Sequence, residues 1–416
     1  MYSSGMLSLL LALLGLSILT RETSLFLLSL VLLASALMSR LWERYCLVRV
    51  EYGRRFSRLR VPFGEDVEME VELVNRKLLP LSWLEVEDEI PLQLSPTMGR
   101  VQPSHKPGRA LLTGLYALRP YERIRRRYSL SCLARGEHIF GPVRLRSGDL
   151  FGFVDREERL ERVESVVVYP RVVPLTELGL PAFHPLGEMR TQSWVFEDVS
   201  RLAGAREHRP GDGLRRIHWP ASVRTQRLHS KVYEATTNHR LAILLDLATP
   251  GSGGFGHGYD PDVQELGITT AASIARWGLD RGYQVGLYTN GIHLGGRGPV
   301  AVEAGRNPSQ LEQILLALGR LQPVHALGFD LLLSREARRL PYGATLVAVA
   351  ATLTPPVAAA LLGLRRRGFP VVAILTGRDG DGVAPEGILV RRVGPPESWR
   401  EATVLSPAAA DPCRVR

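Results

Sequence analysis

From Ala205 to Thr225 the chain reads AREHRPGDGLRRIHWPASVRT, and His208, Asp212, His218 and Ser222 within it are residue types that move protons, attack carbonyls or hold metals. Their spacing supports little of that chemistry. Even with His229 added, the histidines match no compact zinc pattern, and no Cys or close carboxylate pair completes a set. Ser222 is not in a G-x-S-x-G elbow and no cysteine lies near a histidine in this stretch, so a nucleophilic triad is unsupported. What the stretch concentrates is arginine: Arg206, Arg209, Arg215, Arg216 and Arg224. Guanidinium forks of that kind suit Asp198, Glu207, Asp212 or backbone carbonyls, which describes a structural lock or a docking surface. Pro210-Gly211-Asp212-Gly213 reads as a turn, with Pro presetting φ, Gly supplying positive φ and Asp bonding its own downstream backbone. Asp212 would then cap a short helical piece on which Leu214 and Ile217 share a face, and Trp219-Pro220 reads as a buried wedge ending it.

The elements around this stretch set what it can touch. Residues 239–400 alternate strand and helix: LAILLDLA (241–248), helical spacing over 261–281, YQVGLYTN (283–290), a helix over 308–321, a strand over 344–353, a helix over 356–368 and a strand over 369–377. ILVRRV (388–393) fits an edge strand. That alternation predicts an α/β domain with a mostly parallel sheet. Ligands in such folds sit beyond the carboxyl ends of strands, which places any chemistry at Asp246.

Upstream, residues 171–238 form a linker followed by the arginine-rich motif. Residues 45–170 change to a period of two, cleanest in DVEMEVELVN (66–75), and predict an antiparallel β-sandwich of immunoglobulin-like type. Asp149 reads as a turn cap, with Phe151 and Phe153 filling the base of the sandwich.

Residues 1–42 hold two apolar runs, Met6–Thr20 and Leu25–Met38, separated by RETS. With the small polar flanks from Ser3 and up to Ser39 included, each covers roughly 26 Å as a helix, near the bilayer core, whereas one continuous helix of about 55 Å could not cross once. A transmembrane helical hairpin is expected, multi-pass with two helices. No basic n-region supports a signal peptide. Arg40, Arg44 and Arg49 follow the second run and no base precedes the first, so the soluble domains are expected in the cytoplasm, with Arg21 pulling the other way.

The 416 residues carry a formal charge of +10, with Arg dominating over Lys. No interleaving of Lys and aromatics suggests a strand-tracking groove, so no nucleic acid is expected. Cys46, Cys132 and Cys413 are far apart and offer neither a disulfide framework nor a metal spacing. Residues 401–416 read as a tail.

The stretch from Trp194 to Asp246 resembles the family called domain of unknown function 58, whose signature runs approximately R-x-Y-x-P-G-D-D-x-R-x-I-x-W-x-A-S-A-R. Arg206, Pro210, Gly211, Asp212, Arg215, Ile217, Trp219, Ala221, Ser222 and Arg224 match it, and His218 stands within the motif at a position the signature leaves open. His208, Gly213, Pro220 and Val223 depart from it. The resemblance implies a von Willebrand factor A-like C-terminal domain, a fold in which a D-x-S-x-S loop with a distant Thr and Asp holds Mg²⁺. Asp246-Leu247-Ala248-Thr249-Pro250 lacks both serines, which leaves Asp246, Thr249 and Ser252, with Asp260, as the remaining metal set, and no cofactor is expected. It further implies a membrane-anchored, non-enzymatic scaffold or adaptor working with a MoxR-type AAA+ ATPase in assembly or maturation of complexes. The alternative is a membrane-bound hydrolase using Asp212, His208 or His218.

Overall fold

The structure, a computed structural model, describes residues 4–20, 22–149, 155–180, 197–208, 217–235, 240–249, 260–296, 298–340, 343–378, 385–395, 397–401 and 404–405. They fall into two compact units that divide after Arg171.

The first unit begins with two helices, α1 (Ser4–Thr20) and α2 (Thr23–Tyr45), broken at the polar RETS as the sequence suggests. Among the described residues, α2 is the one helix long and apolar enough to cross a membrane, at 23 residues and a mean hydropathy of 2.0. The 17 residues of α1 stand at the lower limit of what a span needs. Ser29 and Ala36 on α2 are buried, while Phe26, Leu27, Val31 and Met38 lie exposed.

Three sheets come next, all but one of their pairings antiparallel. In the first, β3 (Asp66–Asn75) lies between β1 (Val50–Phe56) and β7 (Arg123–Ser131). The second has five strands in the order β10 (Asp155–Leu160), β9 (Val143–Gly148), β4 (Leu81–Pro91), β6 (Arg109–Leu118) and β5 (Arg100–Pro103). The third sets β11 (Glu164–Val168) between β8 (Gly136–Phe140) and a short parallel strand, β2 (Arg60–Val61). The alternation in β3 works as the pleat requires: Val67, Met69, Val71 and Leu73 are buried, and Glu70 and Glu72 meet Arg127 and Arg125 directly across on β7, at 3.1 and 3.0 Å.

A charge sits deep in this unit. Arg54, on β1, donates from Nη1 to both carboxylate oxygens of Asp88, at 2.6 and 2.8 Å, and from Nε to Glu164 at 2.8 Å. The side chains of Arg54 and Asp88 are 0% and 2% exposed. Tyr52 donates to the same carboxylate at 2.7 Å, and the guanidinium lies against the rings of Phe56 and Phe140. Burial pushes the Asp88 carboxyl up, against the pull of Arg54 and the Tyr52 hydroxyl.

The end of α2 is built into the same core. Trp42, Cys46 and Leu47 pack with the strand residues, and Ser39 Oγ donates to the buried Asp149 carboxylate at 2.7 Å. Asp149 thus ties helix to sheet; Phe151 and Phe153 lie outside the described residues. Lys77, 8% exposed, donates from Nζ to the carbonyls of Cys46, the residue capping α2, and of Val48 in the turn that follows. Burial depresses its ammonium to about 8.

The second unit starts with an antiparallel pair, β12 (Glu197–Glu207) and β13 (His229–Ala235), flanking α3 (Trp219–Thr225). Its main sheet has six strands in the order β17 (Val300–Gly305), β15 (Gln284–Thr289), β14 (Arg240–Leu245), β19 (Thr345–Ala350), β20 (Val371–Leu375) and β21 (Leu389–Arg392). Only β17 runs antiparallel to its neighbour, so the sheet is mixed. On one face lies α4 (Pro261–Asp280), close enough that a Cβ at Gly278 would meet Leu241 and Val285 at 2.9 Å. With it is α5 (Gln310–Gly319), whose buried Gln310 donates to the carbonyls of Val285 and Glu303, both at 2.8 Å. Against the other face, α6 (Phe329–Glu336) and α7 (Pro355–Arg366) pack on Ala242, Leu244, Leu346 and Ala373. A two-stranded piece, β16 (Gly291–His293) with β18 (Leu321–His325), and the short α8 (Ser398–Glu401) complete the unit.

Two outcomes are expected of the first unit. Asp88→Ala leaves Arg54 charged and buried, and chemical denaturation of the full chain is expected to show a loss of about 3–5 kcal/mol, whereas the Arg54→Met, Asp88→Leu double variant loses clearly less. Lys77 binds its proton more weakly folded than unfolded, so between pH 8 and about 10.5 the unfolded chain holds the extra proton and stability from this group rises with pH. Thermal unfolding of wild type against Lys77→Met across that window should show that slope only in wild type.

Candidate functional site

Of the arginine-rich motif, the residues flanking the turn are described. Pro210, Gly211, Asp212 and Arg215 lie outside the described residues, as do Arg209, Gly213, Leu214 and Arg216. From Ile217 onward the chain forms a short lock between helix and strand. Ile217, 4% exposed, bridges to Ser230, and His218 N donates to His229 O at 2.7 Å. His218 then caps α3: its Nδ1 accepts from Ala221 N at 3.1 Å. Ser222 Oγ donates to His218 O at 3.0 Å and accepts from His229 N at 2.9 Å. His208 Nδ1 pairs with Ser230 Oγ at 2.9 Å, and His229 Nδ1 lies 3.1 Å from Thr225 Oγ1 and 2.9 Å from Arg227 O. The histidines therefore join β12, α3 and β13 rather than converging on one point.

One expectation is corrected here. Trp219 is not a buried wedge at a helix end: it begins α3 and is 63% exposed. Pro220 is tolerated because the first helical turn has no intrahelical partner for its missing N–H. Val223, one turn on and 75% exposed, shares that face, with Leu228 half-exposed after the left-handed Gln226. Arg224 is exposed and makes no ion pair among the described residues. Arg206 donates to the carbonyl of its neighbour Glu207, whose carboxylate pairs with Arg227 at 3.0 Å.

At the carboxyl end of β14, Asp246 Oδ1 accepts from Ala248 N at 2.9 Å and from Asn290 Nδ2 at 2.7 Å. Asn290 is fully buried and bridges further, accepting from Leu247 N and donating to Leu327 O. Burial pushes the Asp246 carboxyl up and nearby Asp330 adds to this, while the Ala248 amide, Asn290 and His325 oppose it. Thr249 Oγ1 accepts from Asp260 N at 3.0 Å. The Asp260 carboxylate faces elsewhere: Oδ1 caps α4 through Asp262 N and Val263 N, and Oδ2 accepts from Arg378 Nε at 3.0 Å. Burial alone would raise Asp260, but Arg378 and the capped amides outweigh it and hold the group low. Ser252 lies outside the described residues.

The donor set fits a resident cation poorly. Both carboxylate oxygens of Asp260 are already engaged, by the helix amides and by Arg378, and among the described residues no three His, Cys, Asp or Glu side chains gather as metal ligands. Sequence reasoning did not single out Asn290 or Arg378. A polar residue ending the run YQVGLYTN was the available signal for the first; nothing local marks the second, which lies 118 residues from its partner.

Residues 204–373 match the family model described as Protein of unknown function DUF58. The uncharacterized protein YeaD of Bacillus subtilis (strain 168) is 23% identical over 249 residues, which are 59% of this chain and 57% of that protein. The match thus spans little more than half the length of this curated relative. Among solved structures, the CARDB domain of a Pyrococcus furiosus protein in complex with di-metal ions aligns at a TM-score of 0.20 and 13% identity, over 29% of this chain and 90% of that one. A cohesin module from a Clostridium perfringens family 33 glycoside hydrolase aligns at 0.20 and 11%, over 28% and 96%. Neither likeness carries an argument at such scores.

Millimolar Mg²⁺ is expected to leave the thermal unfolding of both wild type and Asp246→Ala unmoved. A Mg²⁺-dependent rise in wild type that disappears in the variant would establish a metal site.

Proposed function

We propose that this chain is a membrane-anchored, non-catalytic docking protein whose second unit receives a protein partner. The observation that carries the proposal is α3: Trp219 and Val223 point outward beside Arg224, on a helix held from behind by Ser222, His218 and His229. Trp and Arg on a preorganised support supply large contact area and directional charge at little ordering cost. His208 is engaged with Ser230 and His218 with the Ala221 amide, which favours the docking reading over a hydrolase using these two histidines.

The second unit is taken as von Willebrand factor A-like. Its sheet, numbered along the chain, has the order 3-2-1-4-5-6 of a doubly wound fold, and Asp246 ends the strand beside the switch point. The apolar α1 and α2 form the membrane hairpin, the first unit is an immunoglobulin-like sandwich, and Arg40, Arg44 and Arg49 keep the soluble units in the cytoplasm. The partner implied by the resemblance is a MoxR-type AAA+ ATPase, with assembly or maturation of complexes as the task.

Pull-down of the full chain from detergent-solubilised membranes, with and without nucleotide, should recover such an ATPase; recovering none sinks the partner. Trp219→Ala and Arg224→Glu should each cut recovery with unchanged thermal unfolding, whereas Ser222→Ala should lower the unfolding temperature. A His208→Ala or His218→Ala chain that stays folded but loses turnover of a substrate would favour the hydrolase instead.

A further inference from the structure

The end of the first unit that receives α2 is unlike its other end. Two loops surround the helix exit: Arg76–Pro80, joining β3 to β4, and Arg119–Glu122, joining β6 to β7. Both are fastened to it. Lys77 binds the carbonyls of Cys46 and Val48, Arg76 N donates to Arg49 O at 3.0 Å, and Tyr121 N donates to Lys77 O at 3.3 Å. On this frame Leu78 is 76% exposed and Tyr121 69%, with Tyr45 and Val48 also open to solvent. Tyr121 and Arg49 both hold a left-handed φ of 57°, a conformation costly for a bulky side chain and kept here in the service of projecting it. Arg44, Arg49, Arg76, Arg119 and Arg156 are exposed on these segments and beside them, Arg76 pairing with Glu51 at 2.6 Å and Arg156 Nη1 donating to Arg44 O at 3.0 Å.

The helix sets the depth of this surface. Twenty residues of α2 counted from Thr23 cover roughly 30 Å, the thickness of the hydrocarbon core. The apolar run itself closes at Met38, with Arg40 and the Ser39–Asp149 contact just beyond, so the headgroup layer would begin at Ser39 and run toward Glu43–Arg49, where Lys77 and Tyr121 attach.

We infer that this end of the first unit is a lipid-binding rim, with Leu78 and Tyr121 seated in the headgroup layer and the surrounding arginines holding anionic phospholipid headgroups. Aromatic and aliphatic tips ringed by arginine are the composition that an anionic interface favours, the ring amphipathic and the guanidinium bidentate to phosphate. The inference rests on α2 crossing the membrane. It adds that the β unit lies against the bilayer, held at two further points, rather than swinging beneath a tether.

The test reconstitutes the full chain, carrying Cys413→Ser, into vesicles of phosphatidylcholine alone or mixed with phosphatidylglycerol. A polarity-sensitive fluorophore is placed at Leu78→Cys, Tyr121→Cys or, as control, Leu133→Cys, which is exposed beyond the far end of β7; the native Cys46 and Cys132 are buried. Emission at positions 78 and 121 should shift to the blue and be quenched by spin-labelled lipid, more strongly with phosphatidylglycerol, while position 133 reports water. Combined Arg76→Glu and Arg119→Glu should abolish the phosphatidylglycerol dependence. If the chain resists carbonate extraction but positions 78 and 121 behave as 133 does, the rim is overturned and the span stands. A chain that carbonate strips from the vesicles overturns both. A charge-reversed variant that keeps the full phosphatidylglycerol response overturns the role given to the arginines.

Discussion

The first unit depends on how the end of α2 is satisfied. A helix leaves its last carbonyls without partners, and at the edge of an apolar segment water is a poor substitute. Here Arg156 reaches the Arg44 carbonyl, Lys77 from the β3–β4 loop reaches those of Cys46 and Val48 just past the helix, Ser39 meets Asp149, and Trp42, Cys46 and Leu47 enter the same core as the strands. The helix is therefore continuous with the β unit, and displacing it would expose both an apolar surface and a set of polar groups matched only to each other. The Arg54–Asp88 pair adds a second constraint of the same kind: each charge is tolerated inside because the other is there.

The second unit uses its polar residues differently. Along β12, α3 and β13, histidines and serines bond one another so closely that the segment becomes a frame, and what the frame presents outward is Trp219, Val223 and Arg224. At the end of β14, Asn290 fixes Asp246 and Leu247 together, while Arg378 occupies the Asp260 carboxylate. Here His208, His218, His229 and Ser222 bond within the segment and Asp246 bonds Asn290, so these polar residues hold neighbouring elements together.

Much of this was legible along the chain. The break between α1 and α2 follows from charges that an apolar helix would not carry through its middle, and β3 declares itself by alternation, with glutamates placed to face arginines. The strands of the main sheet read as apolar runs because both their faces are covered. Harder to read were β17, whose residues are half-exposed, and α6, too short for periodicity to separate from a loop. Trp219 was misjudged because large aromatic residues are usually buried, and only the position of neighbouring elements tells whether anything covers one.

Local pattern by itself thus determined which residues form helix or strand and which share a face, since those depend on neighbours a few positions away. The tertiary structure alone decided what each face meets. Ser39 and Asp149 lie 110 residues apart, Arg54 and Asp88 34, and Asp260 and Arg378 118. Contacts at such separations arise from chain topology, which no pattern of neighbouring residues records.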